Sequence, residues 1–155
     1  MSSLSKTDIS AKLDLSLLII DDNLTDIVRI ERMLEDSNSG NYDIIHFSSI
    51  APALDHLENH FDCIDVCLVD YNLANSTVLD FIEGLEQRQL TDIPLVVMTG
   101  EKHGESDLRL MTAGAQDFLD KANINATSLP RSLRYAHFRH QCYSKERQQS
   151  ANKSR

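Results

Sequence analysis

Four places in this chain carry polar groups whose types could work together: the pair Asp21-Asp22, then Asp70, the dipeptide Thr99-Gly100, and Lys121. Three carboxylates brought to one spot repel one another unless something positive holds them. A hard divalent cation with oxygen ligands does so, and Mg²⁺ suits best because it takes few protein ligands, keeps several waters and also ligates phosphate. The Thr99 hydroxyl adds a hydrogen-bond donor and the Lys121 ammonium a positive charge. Such a set could hold a tetrahedral anionic group attached to a carboxylate. Aspartate is an established phosphoryl acceptor, and Mg²⁺ with a lysine neutralises charge during in-line transfer. Taken singly, each residue has a plain reading. Asp21-Asp22-Asn23 is helix-capping chemistry, Asp70 and Thr99-Gly100 are turn residues, and Lys121 is a loop lysine. Their shared placement is what carries the argument.

That placement comes from the elements. Short apolar runs alternate with amphipathic stretches five times over. Leu15–Ile20 is apolar except for Ser16 and reads as a strand buried on both faces. Asn23 then caps a helix whose inward stripe is Ile27, Ile30 and Leu34. Tyr42–Phe47 is a second strand, followed by a helix with Ser49 at its cap, Pro52 in its first turn and Leu54, Leu57 and Phe61 facing inward. The third strand spans 66–69 and ends at Asp70. A third helix starts at Ser76 with the stripe Val78, Phe81, Ile82 and Leu85. A fourth strand at 94–98 ends at Thr99-Gly100. A fourth helix covers 105–113, with Gly114 ending it in the left-handed conformation. A short fifth strand at 116–119 leads to Lys121, and a fifth helix begins near Thr127 or Ser128, burying Leu129, Leu133 and Ala136. Strand–helix alternation predicts an α/β, doubly wound, five-stranded parallel sheet with helices on both faces. In such sheets chemistry collects at the carboxyl ends of the strands, where the residues named above stand.

The totals set the class. At 155 residues and 41% hydrophobic content, the chain can bury one ordinary core without staples. No apolar run approaches the roughly 20 residues that cross a bilayer, and the polar start is not a signal peptide, so a cytoplasmic location and no membrane contact are expected. Cys63, Cys67 and Cys142 have neither disulfide nor zinc spacing. Cys63 and Cys67, in and beside an apolar stretch, read as reduced and buried. His56 with His60, and His137 with His140, are each one helical turn apart but show no third ligand in the sequence, so no structural metal is expected there. The net charge of −9 divides unevenly: residues 1–130 carry 8 basic and 23 acidic groups, and residues 131–155 carry 7 basic and 1 acidic. An acidic body repels nucleic acid.

The segments LLIIDDN, CLVDYNL, VVMTG and GAQDFLDK resemble, in the correct order, the acidic-pair, phosphoacceptor, threonine-switch and lysine signatures of response-regulator receiver domains. The resemblance runs from Leu15 to about His140. It implies the flavodoxin-like strand order 2-1-3-4-5, the order the chemotaxis receiver exemplifies, a bacterial two-component signalling domain rather than an enzyme acting on outside substrates, and the following roles. Asp70 is the phosphoacceptor, served by a histidine kinase or phosphotransfer protein. Asp22 binds Mg²⁺ directly, Asp21 through water, and Asn72 through its backbone carbonyl. Thr99, the Gly100 N–H and Lys121 hold the phosphoryl oxygens. Phe118 is the aromatic that turns inward when Thr99 moves, and Asn72 and Glu101 flank the path of an attacking water. The readout face for a protein partner is the fourth helix, fifth strand and fifth helix.

The chain departs from the family's pattern at Ala122, where proline commonly follows the lysine, and at Ala74 and Val78, where the loop usually has proline and then glycine. A receiver of 14–143 is expected between a polar segment at 1–13 and a basic, disordered tail at 144–155. Two rival functions remain open. A receiver-fold adaptor would signal without phosphorylation. A Mg²⁺-dependent phosphatase with an aspartate nucleophile would need a second aspartate where Asn72 stands. A nucleotide-binding role lacks both glycine-rich signatures.

Overall fold

A computed structural model describes residues 14–100 and 111–153, with side chains as far as Cys142. Five parallel strands form its sheet: β1 (Leu15–Ile20), β2 (Tyr42–Phe47), β3 (Val66–Asp70), β4 (Leu95–Thr99) and β5 (Asp117–Asp120), in the spatial order β2-β1-β3-β4-β5. That is the expected 2-1-3-4-5. Alternation along each central strand feeds two cores. Leu17, Ile19, Val66, Leu68, Val96 and Met98 face one side, where they meet helix α1 (Leu24–Ser37) and a C-terminal helix (Ser128–Lys153). Leu18, Ile20, Cys67, Val69, Leu95 and Val97 face the other, under α2 (Ile50–His60) and α3 (Val78–Gln87). Strands covered on both faces must be apolar throughout, which is why β3 and β4 read as unbroken runs.

The helix ends follow from local hydrogen bonding. Asn23 caps α1, its side chain accepting from the N–H groups of Thr25 and Asp26. At α3 the cap is Thr77, not Ser76. The Thr77 hydroxyl accepts from the Leu79 N–H at 3.3 Å while Asp80 accepts from the Thr77 N–H at 2.9 Å. Ser76 and Thr77 instead pair antiparallel with Asn72 and Leu73, so the segment carrying Ala74 is a tight hairpin. Its end is fixed by the Val78 N–H donating to the Tyr71 carbonyl at 3.0 Å. Removing the cap with Thr77→Ala is expected to cost about 1 kcal/mol; an unchanged urea midpoint would show that the cap contributes nothing.

Several sequence expectations need correction. Phe61 lies beyond α2 in a 3-10 turn (Phe61–Cys63), half-buried against the core, and Ser49 makes no side-chain cap. Cys67 is fully buried, but Cys63 is exposed because that turn carries it to the surface. The strand bounds move by one residue at β4, since Pro94 has no N–H to give the ladder, although its carbonyl accepts from the Cys67 N–H at 2.9 Å. The Lys121–Ala122 bond is trans. Glu101 and most of the expected fourth helix fall outside the described residues; Gly114 has the positive φ of 111° expected of a helix end. The C-terminal helix continues through Lys153, beyond the 143 boundary, because its Gln, Arg, Lys, Glu and Ala residues are helix formers with no breaker among them. Among the described residues, no helix is long and apolar enough to cross a membrane.

Candidate functional site

Parallel pairing sets the carboxyl ends of β1, β3 and β4 side by side, in register Ile20↔Val69 and Asp70↔Met98. The chain therefore leaves the sheet at Asp21, Asp70 and Thr99 along one edge. Asp21, Asp22 and Asp70 each offer a carboxylate oxygen within 4.8 Å of the others. Asp21 is fully buried, Asp70 is 8% exposed, and Asp22 is open to solvent. A buried carboxylate needs a partner, and Asp21 has several. Its Oδ1 accepts from the Asn23 N–H at 2.9 Å, which ties the site to the cap of α1, and its backbone carbonyl lies 3.1 Å from His46 Nε2.

Lys121 supplies the charge. Its Nζ donates to Asp21 Oδ2 at 2.9 Å, Asp70 Oδ2 at 2.9 Å and Asp26 Oδ2 at 2.8 Å. Backbone bonds fix the lysine in turn: its N–H donates to the Thr99 carbonyl at 2.9 Å, and its own carbonyl accepts from Arg29 Nη1 at 2.8 Å. One ammonium thus faces three carboxylates in direct contact, with Asp22 beside them. Burial raises the pKa of Asp70, as does the neighbouring Asp21 charge, against opposing pulls from Lys121 and the Asn72 backbone. Burial works against the charge on Lys121, but the bonds to Asp26, Asp70 and Asp21 outweigh it and hold the ammonium above the ordinary lysine range.

The arrangement fits a hard cation. Asp21, Asp22 and Asp70 provide oxygen-only donors in excess of the single positive charge beside them, the donor class Mg²⁺ takes. Thr99 is buried at the end of β4 with Gly100 exposed after it, and Asn72 is exposed at the start of the hairpin. Phe118 pairs in register with Val97 and packs half-buried against the core under α2 and α3. Every expected strand-end residue is therefore at this edge. Asp26 and Arg29 are additions. Asp26, an acid in the first turn of α1, reads in the sequence as a charge suited to the helix dipole, and nothing in its spacing announces the lysine 95 positions away.

Residues 17–133 match the family model of the response regulator receiver domain. Among curated proteins, the chain is 29% identical over 111 residues to the two-component response regulator ORR1 of rice, covering 68% of this chain and 48% of that protein. It is 27% identical over 127 residues to the putative two-component response regulator ARR13 of Arabidopsis thaliana, covering 82% and 22% respectively. The chain thus spans about half or less of the length of these relatives, and their plant origin leaves the expected bacterial source unsupported. Among solved structures, a CheY-like receiver domain protein from Methanospirillum hungatei superposes with a TM-score of 0.69 at 18% identity, over 84% of this chain and 99% of that one. The Vibrio cholerae chemotaxis protein CheY4 gives 0.66 at 22%, over 80% and 99%. With the sheet order, the strand-end carboxylates and the family match in agreement, this chain belongs to the response regulator receiver domain family.

Proposed function

We propose that the chain is a phosphoryl-accepting switch, in which Asp70 takes a phosphoryl group from a histidine kinase or phosphotransfer protein. The observation that carries this reading is the contact of the Lys121 ammonium with Asp70 Oδ2, inside a cluster whose other carboxylates can hold a cation. A carboxylate oxygen of Asp70 forms the O–P bond as the P–N bond to the donor's histidine breaks, and the departing imidazole takes a proton from water. Asp21, Asp22 and Asp70, with the Asn72 backbone carbonyl, would hold Mg²⁺, which when bound neutralises charge on the transferring group.

Lys121 then exchanges carboxylate partners for a phosphoryl oxygen, while the Thr99 hydroxyl and the Gly100 N–H donate to the others. Drawing Thr99 toward the phosphoryl group frees space beside β5, and Phe118 turns inward to fill it. A switch of this kind biases two pre-existing surfaces, here one that includes β5 and the C-terminal helix, toward a protein partner. The chemistry is confined to gain and loss of this one group within 14–143.

Intact-mass spectrometry after incubation with a small-molecule phosphodonor tests the proposal. The expected result is a gain of one phosphoryl group that requires Mg²⁺. No gain with that donor or with a phosphorylated histidine phosphotransfer protein would favour an adaptor that docks through the same fold unphosphorylated.

A further inference from the structure

On the opposite edge of the sheet from β5, the crossover from β2 through α2 brings together a set of side chains that the phosphoacceptor site does not use. His56 and His60 stand one turn apart on α2, with ring centroids 4.5 Å apart and planes inclined by 30°. The 3-10 turn ending α2 carries Cys63 to the surface. Asp43 lies two residues before Ile45 on β2 and so shares its face, the face that packs beneath α2. Since α2 runs back along the sheet, its C-terminal end returns to the start of β2. Asp43, His56, His60 and Cys63 accordingly line one surface depression. Two further potential donors, Cys63 from the turn and Asp43 from the neighbouring strand, thus stand beside the two histidines.

We propose that His56, His60, Cys63 and Asp43 form a second metal site, for a borderline divalent cation such as Zn²⁺. Two imidazoles at i and i+4 on one helix are a proven bidentate arrangement, and a thiolate beside them selects Zn²⁺ over Mg²⁺. The site thus differs in donor class from the all-oxygen cluster at Asp70. The side chains of Asp43 and Cys63 make no hydrogen bond among the described residues, and a cation here also lies at the negative end of α2. Among the described residues only Asp21, Asp22 and Asp70 already hold ligand atoms within 4.8 Å of one another. Closure of the second site therefore takes changes of rotamer at the exposed Asp43, His60 and Cys63, around a half-buried His56 whose ring lies 5.4 Å from that of Phe47. On binding, the Cys63 thiol loses its proton to solvent as the metal–sulfur bond forms.

The test is a titration of the full chain with Zn²⁺ in millimolar Mg²⁺, which keeps the acidic cluster occupied, with Co²⁺ as a spectroscopic substitute. The expected result is one Zn²⁺ per chain, an affinity lowered roughly tenfold or more by His60→Ala and by Cys63→Ser, and a thiolate-to-Co²⁺ charge-transfer band that Cys63→Ser abolishes. Both positions are exposed, and far-ultraviolet circular dichroism checks that the variants fold. Absence of Zn²⁺ binding, or binding that both variants leave unchanged, would overturn the proposal.

Discussion

Replacing Lys121 with methionine is expected to destabilise the metal-free protein by about 3 kcal/mol, the low end of the cost of breaking a buried ion pair by removing one partner. The low end is appropriate because Lys121 and Asp26 are partly open to water, with side chains 16% and 26% exposed. Asp21, fully buried, is the residue that suffers: without the ammonium its Oδ2 faces Asp70 and Asp26 with no counter-charge. Urea unfolding measures the loss, and millimolar Mg²⁺ is expected to restore more stability to the variant than to the wild type, since the cation takes over the neutralising role. An unfolding midpoint that does not move would mean that water, not Lys121, satisfies these carboxylates. The wild type also carries a signature in pH. A lysine held above its unfolded pKa contributes stability that is fully present below the ordinary lysine range and is lost as pH climbs through the raised value. Lys121→Met removes this alkaline dependence.

The parts of this molecule that were legible in the sequence are those where one physical demand dominates. β1, β3 and β4 are sealed on both faces, so their apolar runs stand out, and the residues following them form the candidate site. The additions at the site come from across the fold. Asp26 and Arg29 sit on an exposed-looking helix turn, and only the return of the chain after β5 gives them Lys121 as a partner. The hairpin at Asn72–Thr77 has no sequence signal, because Ala74-Asn75 lacks the glycine that marks a tight two-residue turn. The segment after Tyr143 is less legible for a different reason. Polarity argued for disorder, whereas helix propensity, summed over residues without Gly or Pro, continues the helix already begun at Ser128. The apolar neighbours of Cys63 suggest burial, yet the 3-10 turn that ends α2 faces it outward.

Asp70→Asn is expected to abolish phosphoryl acceptance, a loss of at least about a hundredfold on the scale of removing a reacting group. Four carboxylates lie within reach of Lys121 or the cation cluster, so the choice among them has to be argued. Asp21 has no exposed surface for a donor to approach, and its Oδ1 is held by the cap of α1. Asp26 stands on a helix outside the oxygen cluster. Asp22 is exposed but makes no contact with Lys121. Asp70 alone combines an accessible edge, a shared place in the cation cluster and a direct bond to the ammonium, and it leaves the central strand β3 beside Thr99 on β4. Its raised pKa adds a second, independent readout. Because the folded state disfavours its charge, Asp70 binds a proton more readily there than in the unfolded chain, so the metal-free protein loses stability as pH rises through the region above the ordinary carboxylate value. Asp70→Asn is expected to remove that slope and to leave the metal-free protein at least as stable as the wild type at neutral pH. Acceptance that persists in the variant would move the phosphoryl group to another carboxylate. Acceptance lost together with stability would instead assign Asp70 a structural part in holding Lys121.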